Sequence, residues 1–577
     1  MQKKELMPCD LIMKGGTTSG TLYPSAVREI MKRYRLVNIG GTSAGAIAAA
    51  AAAAAEKGRE FGSDQKLAEI ADELKDRLLS FFQPRKEAKF LFDIGLAWLK
   101  FNEQNQERAK NDKLGKLVFV SRLTALWAKQ YAKSFSIMVL LVFMSGLSVG
   151  WAFIEPQPRF FWMAIAVILG SVLYGVFWTL LSVLRTYQLA NNQLSAKSGF
   201  GMCPGANQES SEAEAFADWF SGRLNDLAGI SGRPLTFGDL GKDINLVVVS
   251  TSLADGAPVS LPFTKSVSDQ YLFRAKDWKG KIPNDVLDWM VKRSAKVSFP
   301  GEDGVDIEFC QFPASDNLPV IVAVRMSLSF PLLFTTTKLY RKREGDVAPQ
   351  EVVFTDGGVT SNFPIHFFDN VWPLRPTFGI TLDRIELDDA EGIEPRFLID
   401  LDKEQTPRKL ESLMDFVAAL LSAMTDWADN QQANLLTARQ RIVQIPLGKL
   451  EGGLNLTMPK CRINSLVKRG AKAGKVFASF DFEQHRWTRY VSSVVSLAKS
   501  QATMKQVWEN STAGGEKHLE QLVSDYPKKV EVAEVVDWQE AALRFTKEMV
   551  TQTSDDLLQQ AEGHQVRIKI VADEFES

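Results

Sequence analysis

Two apolar runs stand near the start of the chain, Leu11–Met13 and Leu36–Ile39, and each stops at paired glycines, Gly15-Gly16 and Gly40-Gly41. Short apolar runs bounded by glycine turns predict buried parallel strands. The second run leads into Ala44–Ala55, almost pure alanine. Alanine is the strongest helix former, and its small side chain lets a helix lie close against a sheet. Strand, glycine turn, helix is therefore the local prediction. Further strands are predicted at Asn245–Ser250, Val320–Val324, Val352–Phe354, Phe378–Leu382 and Arg441–Ile445, with helical patterns at Lys66–Phe82 and Leu413–Trp427. This alternation predicts an α/β sheet domain.

Two longer runs break the pattern. Ser136–Ile154 and Phe160–Leu184 contain no charged residue. About 20 apolar residues are needed for a helix to cross a hydrocarbon core of roughly 30 Å, so both qualify as spans. Only Glu155–Arg159 separates them, and Pro156 and Pro158 end the first helix and sharpen the turn, predicting an inserted two-helix transmembrane hairpin. Lys129 and Lys133 precede the pair, and Arg185 and Lys197 follow it. By the positive-inside rule both outer ends, and the rest of the protein, lie on the cytosolic side. The bland alternative, a buried hairpin in a soluble core, fits two adjacent uncharged runs poorly. Gly146/Gly150, Ala166/Gly170 and Ser171/Gly175 have small-xxx-small spacing, which suits packing of the two helices on each other or a homo-oligomer through the hairpin.

The expected organisation is a catalytic domain in two parts, residues 8–130 and 212–450, interrupted by the hairpin at 135–185 and followed by a helical region at 451–577. The polar, glycine-containing Gly199–Glu214 marks the return from the hairpin. In the tail, Ala473–Ser479 and Trp538–Ala561 are the clearer amphipathic stretches.

The 577 residues exceed the usual size of one compact domain. With 68 basic against 69 acidic residues, net charge is −1, which disfavours a nucleic-acid partner. Cys9, Cys203, Cys310 and Cys461 are far apart and read as isolated thiols of a reducing compartment. The charged start, Met1–Asp10, does not resemble a secretory signal.

Three segments carry candidate chemistry. Gly41-Thr-Ser43-Ala44-Gly45 is a G-x-S-x-G between a strand and a helix; its glycines permit a sharp turn exposing the serine Oγ, and the helix start supplies free N–H groups. Lys14-Gly15-Gly16-Thr-Thr-Ser-Gly20 follows the first strand and presents backbone N–H groups, as an oxyanion hole requires. Phosphate binding is the rival use of such a loop, but Walker spacing, a GK[ST] ending and GxGxxG are all missing. Asp356-Gly357-Gly358 follows another apolar run, with Asn362 and Pro364 downstream. A serine nucleophile needs a base, and the candidates are Asp356 and, ten residues on, His366 as a third member. A histidine in a Phe-rich stretch is more often structural.

A glycine loop, then G-T-S-A-G, then D-G-G with N-x-P, in that order, resembles the patatin-like phospholipases. Arg325–Pro331 is similar to that family's segment shortly before D-G-G, and Trp219 and Pro234–Asp239 fit its bacterial members. The resemblance covers roughly residues 8–445 apart from the hairpin. It implies a central, mostly parallel sheet flanked by helices, and a Ser–Asp dyad without histidine or cofactor. Ser43 would attack a lipid ester, Asp356 would take its proton, and Gly15, Gly16 and the Ala44 N–H would hold the oxyanion. It further implies a membrane phospholipid or other acyl lipid as substrate, a lipid bilayer as partner and, with the hairpin, a bacterial inner-membrane location. The family's loop reads G-G-G-x-[RK]-G; here Thr17 replaces the third glycine and Ser19 the basic residue, with Lys14 one residue upstream. The alternatives are an acyltransferase on the same dyad, or a catalytically weak membrane scaffold.

Overall fold

The computed structural model describes residues 6–512 except 17–18, 108–112, 155–157, 209–212, 302–304, 386, 388–389, 402–422, 424–432, 434, 449 and 453–454, and beyond 512 only Glu548. The predicted helices Leu413–Trp427 and Trp538–Ala561 lie outside the described residues, apart from Ala423 and Glu548.

Fourteen strands are described: β1 (Met7–Met13), β2 (Tyr34–Thr42), β3 (Gly201–Cys203), β4 (Asn245–Ser252), β5 (Ala257–Leu261), β6 (Tyr271–Phe273) and β7 (Lys296–Pro300), then β8 (Asp306–Gln311), β9 (Leu332–Phe334), β10 (Thr337–Arg341), β11 (Gln350–Asp356), β12 (Thr377–Arg384), β13 (Arg396–Phe397) and β14 (Ile442–Leu447). Twelve form one sheet in the order β13-β14-β12-β1-β2-β4-β11-β10-β6-β8-β7, with β5 also paired to β4. The fold is therefore mixed α/β. The sheet is parallel only through β14-β12-β1-β2-β4. Every other pair in it is antiparallel, so a mostly parallel sheet describes one half alone. The antiparallel half is built largely from short strands with exposed or half-buried positions, β7 among them, which leave no continuous apolar run to read.

One expected strand is a helix. Val320–Val324 lies in the helix Val320–Ser327, every residue of which is buried. A segment covered on all sides shows no periodicity, and its valines mimic a strand; Pro319 at the helix start was the better local signal. The alanine segment forms the helix Ala44–Lys57. It is covered on both sides, by β2 and β4 and by the helix Phe216–Ala228, and from Ala46 to Ala55 it is almost entirely buried. Larger side chains there would hold those layers apart.

The predicted tail is partly core. The helix Lys460–Val476 packs on Tyr23–Met31. A Cβ on Gly470 would meet the Leu22 carbonyl oxygen at 2.2 Å, and one on Gly474 the Ala26 oxygen at 2.4 Å. Residues 451–577 are thus not a separate appendage over their described part.

The hairpin segments form the helices Ala132–Ile154 and Pro158–Gln193, which pack on each other. Ser145 and Ser171 hydroxyls meet at 2.8 Å, and Tyr131 OH meets Thr186 Oγ1 at 3.1 Å. Among the described residues one helix, Phe161–Gln193, is long and apolar enough by length and composition to cross a membrane, with a mean hydropathy of 2.2 over 18 of its residues. A Cβ on Gly146, Gly170 or Gly175 would meet nothing within 4 Å, so these glycines do not make the helix–helix contact.

Candidate active site

The two parts of the chain on either side of the hairpin meet at the carboxyl ends of β1, β2 and β11. Ser43 follows β2 and precedes the alanine helix, with φ 54° and ψ −125°. A non-glycine residue at positive φ costs on the order of 1–3 kcal/mol and needs its surroundings to hold it there. The glycines of the elbow allow that approach. A Cβ on Gly41 would stand 2.3 Å from the Gly45 oxygen, and one on Gly45 would stand 2.2 Å from the Met13 oxygen at the end of β1.

Asp356 is the last residue of β11, and the Ser43 hydroxyl donates to its Oδ2 at 2.8 Å. The Gly358 N–H donates to Oδ1, also at 2.8 Å. Gly357 is tight against β4, where a Cβ would lie 2.0 Å from the Val249 oxygen. Serine and aspartate are 5% and 2% exposed. Burial pushes the Asp356 carboxyl up to about 7, against the lowering effect of its bonds from Ser43 and Gly358. A carboxylate raised this far is a useful base near neutral pH. The direct bond leaves no room for an imidazole between the two, and His366 packs its ring edge-on against Phe367.

The glycine loop needs one correction. The Gly15 N–H donates to the Asn362 carbonyl at 2.9 Å, so it is not free for an oxyanion. Gly15 instead gives clearance, because a Cβ would stand 2.2 Å from Asn362 Oδ1 and 3.2 Å from Ser43 Cβ. Among the described residues the Gly16 and Ala44 amides have no acceptor and remain the candidate donors. The Gly20 N–H closes the loop onto the Gly16 oxygen at 3.1 Å, and Tyr23 OH donates to the Lys14 carbonyl. Thr17 lies outside the described residues.

Positioning residues that the motifs marked without explaining now have roles. Ser327 Oγ accepts the Ser43 N–H at 2.9 Å, and the Ser329 carbonyl accepts the Asp356 N–H at 3.1 Å. Arg325, fully buried, donates to Ser329 Oγ and to the carbonyls of Pro204 and Thr335. One short segment thus holds the backbones of both Ser43 and Asp356. Asn362 does the same for the glycine loop and the elbow, its carbonyl accepting from Gly15 N–H and, at 3.0 Å, from Thr42 Oγ1. Pro234–Asp239 is structural: Thr236 and Asp239 cap the start of a short helix, and Arg233 pairs with Asp239 at 2.5 Å.

Beside Ser43 lies an apolar pocket lined by Ile47, Leu78, Phe81, Phe82, Phe216, Leu328, Phe330, Leu333 and Phe334, with a free volume of about 40 Å³. Trp219 stacks behind it on Phe81, ring centroids 4.4 Å apart. A larger depression, with Arg274, Lys276 and Glu308 in its lining, sits on the antiparallel edge and shares no residue with this site. The arrangement defines a serine–aspartate pair on a nucleophile elbow, next to free amides and an apolar slot, and it can carry acyl transfer through Ser43.

No protein-family model matches the chain. It is 29% identical to the "RpoH suppressor" of Rhizobium meliloti (strain 1021) over 576 aligned residues, 85% of this chain and 86% of that one. A 134-residue stretch is 33% identical to the "Uncharacterized protein YqhO" of Bacillus subtilis (strain 168), covering 23% of this chain and 37% of that one. The crystal structure of VipD from Legionella pneumophila aligns over 96% of this chain and 90% of that one, at 11% identity and a TM-score of 0.25, too low to carry an argument.

Proposed function

We propose that the chain is a membrane-anchored serine lipid acyl hydrolase of the patatin-like kind, with phospholipase A or lysophospholipase activity. The observation that carries this reading is the direct 2.8 Å bond from Ser43 Oγ to the buried Asp356 carboxylate. In the mechanism Ser43 Oγ attacks the ester carbonyl as its proton passes to Asp356. The oxyanion forms against the Gly16 and Ala44 amides, and loss of one such donor typically costs about 3–4 kcal/mol. Collapse of the tetrahedral species returns the proton to the leaving alcohol or lysolipid and leaves Ser43 acylated. Water, giving a proton to Asp356, then attacks the acyl carbonyl, and collapse releases the fatty acid as that proton returns to Ser43 Oγ.

A lipid substrate is favoured by the apolar slot beside Ser43 and by the hairpin. In the helix Pro158–Gln193, Phe161 and Trp162 near one end and Tyr187 near the other are all exposed. They are about 37 Å apart at 1.5 Å per residue, close to the spacing of the aromatic belts that flank a hydrocarbon core. The catalytic body lies on the cytosolic side in this reading.

The test is fluorophosphonate labelling of native membranes. Label is expected on wild type and absent in Ser43→Ala, strongly reduced in Asp356→Asn and retained in His366→Ala. Equal loss in the histidine variant would replace the dyad with a triad, and no label on wild type in the presence of lipid would favour an inactive scaffold.

A further inference from the structure

Three non-glycine residues among those described have positive φ: Ser43, Phe200 (53°) and Leu332 (68°). The first is the elbow. The other two are bulky residues in a region that side chains of their size rarely occupy, and they touch: the Leu332 N–H donates to the Phe200 carbonyl at 3.2 Å. Both are exposed, Phe200 by 41% and Leu332 by 57%. They sit at the start of a separate two-stranded parallel sheet, in which Gly201 of β3 faces Leu332 of β9.

That small sheet joins two structures. The residues around Leu332, namely Phe330, Leu333 and Phe334, line the pocket beside Ser43. β3 is the first strand after the hairpin returns, and Arg85 ties it to the rest. The Arg85 guanidinium donates to the carbonyl of Gln193, the last residue of the apolar helix, and to that of Gly201, while its N–H donates to Met202. Arg85 itself follows Phe81 and Phe82, which also line the pocket. The end of the apolar helix is therefore tied, through Arg85, to the segment that carries two of the pocket's phenylalanines.

The pocket is narrow. Its free volume is about 40 Å³, room for a few water molecules and far less than an acyl chain fills. An acyl chain needs the wall to move, and strained backbone is often found at such moving points.

We propose that Phe200 and Leu332 form a bilayer-contacting rim that opens the pocket to an acyl chain taken from the leaflet in which the hairpin is seated. The proposal rests on the membrane-anchored reading above, and it commits the exposed patch to lipid tails. Its experiment reconstitutes the full-length Ser43→Ala protein in phosphatidylcholine/phosphatidylglycerol vesicles that carry a phospholipid with a diazirine in its acyl chain. Photolysis and peptide mapping should find adducts on Phe200 and Leu332 as well as on the hairpin. Adducts confined to the hairpin helices would overturn the rim. No turnover is needed, so a chain that fails to label with fluorophosphonate loses the hydrolase reading and leaves this outcome readable. A second measurement compares vesicle phospholipid with a short soluble ester in a Phe200→Asn/Leu332→Asn variant, since asparagine tolerates positive φ. The ratio of the two rates should fall at least tenfold; an unchanged ratio would also overturn the proposal.

Discussion

At the scale of single residues, the carboxyl of Asp356 sets the strongest expectation. It is raised to about 7 by burial, so the base form accumulates as pH rises through that value. In the hydrolase reading kcat/KM should climb with pH along a single limb with an apparent pKa near 7, measured on a soluble ester to avoid surface effects. The same burial has a consequence for stability with the opposite sign. A carboxyl raised above its unfolded value of about 3.9 stabilises the fold fully only below that pH and loses its contribution as pH rises through about 7. Asp356→Asn should therefore unfold at higher temperature than wild type at pH 8, by an amount worth up to about 4 kcal/mol, with the gap closing toward pH 4. Ser43 was legible locally, because strand, glycine turn and helix are all written within ten residues of it. Ser327, Ser329 and Asn362 were legible only as motif letters. They act through backbone groups of residues 27 to more than 300 positions away, and no local pattern records such a partner.

Elements divide by how they are buried. β1, β2, β4 and the alanine helix announced themselves because parallel strands covered on both faces read as apolar runs. Val320–Ser327 misled for the same reason, since complete burial removes the period that separates helix from strand. Small-xxx-small spacing drew attention to the hairpin, where Ser171 meets Ser145 across the helices while Gly146, Gly170 and Gly175 stand in open surroundings; close approach by glycine is made on another helix pair. Gly470 and Gly474 lie one turn apart on Lys460–Val476, each pressed against a carbonyl of the segment 22–26. Gly470→Leu should lower the thermal unfolding midpoint by at least several degrees through overpacking, whereas Gly170→Leu, in open surroundings, should leave it unchanged. Both shifts can be read on purified protein by tryptophan fluorescence. An equal loss in both variants would contradict the packing described for Gly470.

For the molecule as a whole, the hairpin sits in sequence between Ser43 and Asp356. β2, which leads into Ser43, nonetheless pairs in parallel with β4, the first strand of the large sheet after the insertion, through Asn38–Thr42. Sheet closure across the interruption does not depend on the apolar helices themselves. In the membrane-anchored hydrolase reading, replacing residues 132–193 by a short Gly/Ser linker should release the protein from the carbonate-resistant membrane fraction while Ser43 still labels with fluorophosphonate. Retention in that fraction would place the membrane contact outside the hairpin, and loss of labelling would show that Arg85 and its bond to Gln193 are needed to hold the pocket wall.

By itself the sequence determined what short-range chemistry can dictate: the elbow around Ser43, the poly-alanine helix behind it, the apolar hairpin and the glycines that keep backbones close. Tertiary structure alone decided which amides stay free, since Gly15 is spent on Asn362 while Gly16 and Ala44 are not. It also decided that half the sheet runs antiparallel, that the described tail belongs to the core, and that Asp356 reaches Ser43 without an intervening histidine. The free amides, the packed tail and the Ser43–Asp356 bond depend on contacts between residues more than 300 positions apart, and burial, which sets both hydrogen-bond satisfaction and the basicity of Asp356, exists only once the chain has closed on itself.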